Sequence, residues 1–148
     1  MIQKMSFTHV QQVAALEKLC FSDPWSEAAV ASELSNSLSC WLVWEQQGEV
    51  LGYIGSQSVL PEADVMNLAV APKGRRQGIA RALLTELIRL LHKDGVESLF
   101  LEVRVSNEPA IALYRSFGFV QVGRRPKYYV NPMEDALILR KELGECIS

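Results

Sequence analysis

Apolar residues return every three or four positions between residues 76 and 93, where Ala80, Leu83, Leu84, Leu87 and Leu91 share one face. That spacing predicts the longest helix of the chain, stopped by Gly95, a residue type free to take the left-handed conformation that ends helices. A similar pattern over residues 8–20, with Val13, Leu16, Leu19 and Cys20 as its apolar stripe, predicts a first helix. Pro24 breaks the chain after it, and Ser26 is placed to cap a short helix reaching to about residue 34. Asn107 opens a further helix, with Pro109 in its first turn and Gly118 at its end.

Strand patterns fill the intervals. A short strand is predicted at residues 2–5, and two more at 40–45 and 50–59 around a Gln-Gln-Gly turn. Another covers residues 64–70 and ends at Ala71-Pro72. Residues 98–103 read as a buried strand, and residues 119–125 and 136–140 as the last two. The order β-α-α-β-β-β-α-β-α-β-β predicts an α/β fold, a mixed sheet with helices on both faces. No repeat, low-complexity segment or linker divides the chain, so residues 1–148 are expected to form one domain.

Composition narrows the function classes. With 49% hydrophobic and 22% charged residues the chain has globular rather than disordered composition. A net charge of −2 argues against direct nucleic-acid binding, although Arg75/Arg76 and Arg124/Arg125/Lys127 could meet a smaller anion. The longest apolar run is far too short to cross a bilayer, and the start lacks the pattern of a signal peptide, so the expected location is the cytoplasm. Cys20, Cys40 and Cys146 are odd in number, widely spaced and without C-x-x-C pairing, which points to reduced thiols rather than disulfides or a zinc site. His9 and His92 both fall in predicted helices, and no Cys–His nucleophilic pair is expected.

The candidate chemistry begins where the strand ending at Val70 turns into the long helix. Arg75-x-x-Gly78-x-Ala80 places small residues where the backbone must come close to something. Successive N–H groups at a helix start, backed by the positive end of the helix dipole, form a cradle for an anion. The turn lacks the Gly-Lys-Ser/Thr of a Walker loop and the G-x-G-x-x-G of a dinucleotide fingerprint. Glu102 stands in the otherwise apolar strand Leu99-Phe-Leu-Glu-Val103, on the face of Phe100. Partial desolvation of a carboxylate there suits a general base, and a solvated position on a half-buried strand is the plainer alternative. Tyr114 follows helical spacing that fits a core aromatic as well as a proton donor, and Asn107 fits a helix cap.

Asn67-Leu-Ala-Val-Ala-Pro with Arg75–Ala80, followed by Asn107-x-x-Ala-Ile-Ala-Leu-Tyr-x-x-Phe-Gly-Phe119, resembles the GNAT superfamily of N-acetyltransferases. Over nearly its full length the chain is similar to the ribosomal-protein-alanine acetyltransferases of the RimI type. The carriers are Phe21-x-x-Pro24-Trp25-Ser26, Leu101-Glu-Val-Arg104, Ser106-Asn107, Arg125-x-x-Tyr128-Tyr129 and Glu134-Asp135-Ala136. The resemblance implies a single-domain GNAT fold, a mostly antiparallel sheet of about seven strands with about four helices. It implies acetyl-coenzyme A as co-substrate, its pantetheine arm along Leu68, Ala69 and Val70 and its pyrophosphate on Arg75, Arg76, Gln77, Gly78, Ile79, Ala80 and Arg81. Asn107 would also contact the cofactor, Glu102 would accept the proton of the amine, and Tyr114 would protonate the leaving thiolate. Trp25, Tyr128 and Tyr129 would border the peptide, whose N-terminus belongs to a ribosomal protein and begins with alanine. The segment between the tyrosine pair and Glu134, and the Leu-Ile-Leu-Arg ending, depart from the family pattern. Two other readings stay open at this point: acetylation of a small-molecule amine on the same scaffold, and a non-catalytic acyl-coenzyme A module.

Overall fold

A computed structural model describes residues 1–144 of the chain; Cys146 lies outside the described residues. Seven strands form one sheet in the order β1-β2-β3-β4-β5-β7-β6. They are β1 (Ile2–Lys4), β2 (Ser39–Gln46), β3 (Glu49–Val59), β4 (Glu62–Val70), β5 (Ser98–Arg104), β6 (Val120–Tyr129) and β7 (Glu134–Glu142). The helices are α1 (Val10–Cys20), α2 (Glu27–Ser32), α3 (Ile79–Lys93) and α4 (Glu108–Ser116). The expected mixed, mostly antiparallel sheet is therefore present, and its only parallel neighbours among the described residues are β4 and β5. Parallel strands need a crossover, and α3 supplies it.

That parallel pairing is short. It runs from Glu62 opposite Ser98 to Val65 opposite Leu101 and then stops. Beyond it β4 pairs only with β3, across a register shift opposite Gly55/Ser56 that leaves Met66 as the extra residue. Beyond the same point β5 pairs only with β7. The two central strands thus part at their C-terminal ends, opening the sheet beside Leu68, Ala69 and Val70.

Each face of the sheet has its own core. On one, Leu83, Leu84, Leu87 and Leu91 of α3 are buried against Ile54, Val65, Leu99, Leu101 and Leu139. Burying each such side chain contributes about 1.5–3 kcal/mol. On the other, α1 and α2 bring Val13, Leu16 and Val30 onto Trp41, Val43 and Tyr53. Gly55 makes this second core possible, because a Cβ there would stand 2.3 Å from the Trp41 ring.

Several expectations are corrected. Leu19 is 63% exposed and belongs to no apolar stripe. The inward face of α1 is Val10, Val13, Ala14, Leu16 and Glu17, and Glu17 can stand there because it finds buried donors that let a polar residue occupy a core position. The long helix starts at Ile79 rather than residue 76, since Arg76 (φ 65°) and Gly78 (φ 76°) adopt left-handed backbone that a right-handed helix excludes. The helix after Ser26 ends at Ser32 and continues as a 3-10 turn over Glu33–Ser35. The last two strands are longer than the sequence pattern suggests, because pairing with one another carries them through polar positions.

Candidate active site

The anion cradle is built by the backbone. Val70 ends β4, Pro72–Gly74 forms a 3-10 turn, and the chain then passes through left-handed Arg76 and Gly78 before α3 begins. The first bond into the helix is Ala82 N–H to Gly78 C=O. Among the described residues, the amides of residues 76–81 donate to no backbone carbonyl outside the helix, as expected for the first turn of a helix awaiting acceptors. A Cβ added at Gly78 would meet nothing within 4 Å, so the protein leaves space above this backbone.

Most side chains of the turn are already engaged elsewhere. Arg75 Nε donates to Val70 O at 3.3 Å, and Gln77 Nε2 to Lys73 O at 3.0 Å. Arg81 bridges to α4, donating to Ser116 Oγ at 2.9 Å and lying over the Phe117 ring. Among residues 75–81, these contacts make the amides, more than the guanidinium groups, the feature suited to a phosphate. Asn107 caps α4, its Oδ1 accepting from Ala110 N at 3.3 Å, as the plainer sequence reading had it.

Glu102 and the tyrosines gather where β5 separates from β4. The Glu102 side chain is 30% exposed, and Arg125 Nε stands 3.1 Å from its Oε2. The angle does not suit a hydrogen bond, so Oε2 is buried with a cation beside it and no hydrogen-bond partner among the described residues. A cavity of about 190 Å³ opens beside it, lined by Glu62, Asp64, Phe100, Glu102 and Arg125. Burial, reinforced by Glu62, raises the Asp64 carboxyl above its ordinary value. Arg124 donates to Asp135 at 2.7 Å, so the basic cluster Arg124/Arg125 is held by carboxylates rather than left for an anion.

Tyr128 and Tyr129 meet edge to face with centroids 5.0 Å apart. Burial raises the Tyr128 phenol, and the charge of the nearby Glu102 carboxylate raises it further. Tyr129 is pushed up to about 12, by burial first and then by the charge of Glu102. Tyr114 is buried edge-on against Phe119, and that burial, with Tyr129 adding, drives its phenol upward. Tyr129 therefore feels Glu102 and acts on Tyr114, which places all three in one electrostatic neighbourhood. A phenol held above its ordinary range keeps its proton at neutral pH.

The tyrosine pair is presented by a bulge. Between the Arg125–Ala136 and Tyr129–Glu134 pairs, β6 carries three residues against one. Asp135 fills the bulge: Oδ1 accepts from Lys127 N at 2.9 Å and Oδ2 from Arg124 Nε. Arg104 ties this hairpin to the rest, donating to Val130 O and Pro132 O and lying 4.4 Å over the Tyr129 ring. Trp25 has its ring 5.4 Å from Trp41 in the second core and its amide on Glu17. In the sequence Arg104 and Asp135 stand out only as points of resemblance, and Glu17 does not stand out at all. A charged residue on the inward face of a helix was the available signal.

Residues 10–119 match the acetyltransferase (GNAT) family. The ribosomal protein bS18-alanine N-acetyltransferase of Escherichia coli is 40% identical over 142 residues, covering 93% of this chain and 94% of that protein. The N-alpha-acetyltransferase RimI of Mycobacterium tuberculosis is 37% identical over 141 residues, covering 91% of this chain and 87% of its own. The crystal structure of the Escherichia coli ribosomal-protein-S18-alanine N-acetyltransferase matches the fold with a TM-score of 0.90 at 37% identity, over 100% of this chain and 96% of that one.

Proposed function

The chain belongs to the acetyltransferase (GNAT) family, and from that premise we propose that it transfers an acetyl group from acetyl-coenzyme A to the N-terminal alanine of ribosomal protein bS18. One observation carries the reading: where β4 and β5 part, β4 runs on into the amides that open α3, and β5 carries Glu102. An anion cradle and an acid–base pair around a split sheet suit a phosphate-bearing thioester and an amine.

Acetyl-coenzyme A supplies an activated acyl group whose thiolate leaves on attack. The edge of β4 at Leu68, Ala69 and Val70 offers backbone partners for its pantetheine arm, and the residue 76–81 amides hold its pyrophosphate. Asn107 contributes its side-chain nitrogen, its oxygen being spent on the cap. Glu102 accepts the proton that the amine must lose, directly or through water. Tyr114 gives its proton to the thiolate sulfur, which balances the transfer. Tyr128 and Tyr129 wall the amine side beside Glu102, with Trp25 setting the far wall through the α1–α2 loop. This chemistry belongs in the cytoplasm, where the substrate protein is made; no helix among the described residues is long and apolar enough to cross a membrane.

The test is a peptide beginning with alanine and carrying an internal lysine, assayed by mass. Acetylation should occur once, at the N-terminus, and vanish when that terminus is blocked. Labelling of the blocked peptide would show that another amine is the acceptor and overturn the reading.

A further inference from the structure

Glu17 is 0% exposed, yet no cation is paired with it among the described residues. Leaving a carboxylate in an apolar core is costly unless donors replace the water it loses. Three donors do so here, from three different elements. Tyr53 of β3 donates its hydroxyl to Oε2. Asn67 of β4 donates Nδ2 to the same oxygen at 2.9 Å, and the Trp25 amide donates to Oε1 at 2.8 Å.

The contacts close a ring. The Trp25 side chain leans on Trp41 at 5.4 Å, and Trp41 stacks on Tyr53 at 5.9 Å with 7° between planes. Tyr53 returns to Glu17, which holds the Trp25 backbone. The Pro24–Trp25 turn is therefore gripped at its ring and its amide, and the grip is anchored to Asn67, one residue before the β4 segment at Leu68. A hydrocarbon side chain at position 17 would fill the core equally well, so burial alone does not call for a carboxylate. What the carboxylate adds is two oxygens, one for the loop and one for the strands.

We propose that Glu17 is a positioning residue that fixes the α1–α2 loop to β3 and β4, setting the distance between the Trp25 wall of the amine site and the strand that receives pantetheine. The proposal rests on the reading that Trp25 borders the peptide. It assigns Glu17 no contact with either substrate.

The isosteric Glu17→Gln variant tests it. Its amide nitrogen meets the Tyr53 and Asn67 donors, so the ring opens without leaving a cavity. Misplacing a substrate wall by a fraction of an ångström should raise the peptide KM about tenfold while acetyl-coenzyme A affinity stays within about twofold. In a Trp44→Phe background, acrylamide quenching of the two remaining indoles should rise as Trp25 loosens. The Glu17→Gln/Asn67→Asp double variant exchanges amide and carboxylate, so it should restore both measurements, and it also serves if the single variant does not fold. Either measurement unchanged in a folded Glu17→Gln protein, even with a lowered Tm, would overturn the proposal. Failure of the double variant to recover would do the same. Quenching needs no peptide turnover: a wild-type protein that acetylates no N-terminus would sink the proposed function and leave Glu17 still to be judged by fluorescence.

Discussion

Arg104 Nη2 lies 3.2 Å from Ser22 Oγ, joining the end of β5 to the α1–α2 loop across 82 residues of sequence. The same guanidinium holds Val130 O and Pro132 O in the β6–β7 loop. Two loops from opposite ends of the chain are thus held by one side chain, two positions after Glu102. The planar fork makes this possible, since several donors in fixed geometry can serve partners that a single ammonium cannot. Arg104→Lys should therefore keep the charge and lose the arrangement. The expected result is a fall of about ten- to a hundredfold in kcat/KM for peptide, with acetyl-coenzyme A binding little changed. Equal kinetics in the lysine variant would show that charge alone suffices.

Gly78 combines a left-handed backbone with open space above it. Any side chain there strains the turn, by about 1–2 kcal/mol for an L-residue. Alanine and aspartate share the strain, but only aspartate adds negative charge beside the proposed pyrophosphate position. Calorimetric titration with acetyl-coenzyme A should rank the affinities wild type, Gly78→Ala, Gly78→Asp, with the aspartate variant at least about tenfold weaker than alanine. Equal affinities for the two variants would place the phosphates elsewhere.

Tyr114 and Tyr53 both have phenols raised well above the ordinary value, chiefly by burial. Each folded-state value exceeds the unfolded one near 10, so the stability they confer is complete below about pH 10 and lost as pH rises through the folded values. Tm should hold steady up to about pH 10 and then fall, with the phenolates of Tyr53 and Tyr114 appearing together with unfolding rather than before it. Early, non-cooperative phenolate absorbance from Tyr114 would contradict its burial. Tyr114→Phe should lower kcat by about 10²–10⁴-fold and leave acetyl-coenzyme A affinity nearly intact, the mark of a proton donor rather than a binding group.

What could be seen in the chain depended on how far apart the partners lie. α3 was legible because Leu83, Leu84, Leu87 and Leu91 repeat the helical period within one segment, and α4 because Asn107 and Pro109 announce its start. The beginning of α3 misled, since residue identity did not reveal the left-handed turn at Arg76. Glu102 and Tyr114 stand out in the chain as candidates, by residue type and through the family pattern. Glu17 was not, because its donors come from Tyr53 and Asn67, 36 and 50 residues away. Arg104 and Asp135 look like ordinary surface charges until the hairpin folds back and places backbone atoms within their reach. The parting of β4 from β5 is a property of register, which no local pattern encodes.

The remaining prediction concerns how Glu102 works. An N-terminal amine has a pKa of about 8, so roughly a tenth of it is neutral at pH 7 and about nine-tenths at pH 9. A carboxylate that takes the proton from the arriving ammonium matters most where the neutral fraction is small. Glu102→Gln should thus slow turnover by about 10²–10⁴-fold near pH 7, and the gap to wild type should close by about tenfold on moving to pH 9. The glutamine keeps the size of the side chain and gives up the negative charge beside Arg125, so Tm measured at both pH values separates lost catalysis from lost stability. The neutral fraction of a lysine side chain, with a pKa near 10.4, rises about a hundredfold over the same interval, so a lysine acceptor would close the gap by about a hundredfold instead. Initial rates with a saturating alanine-first peptide at both pH values decide the matter. A gap that stays constant would mean that Glu102 does not deprotonate the incoming amine and acts only after attack has begun.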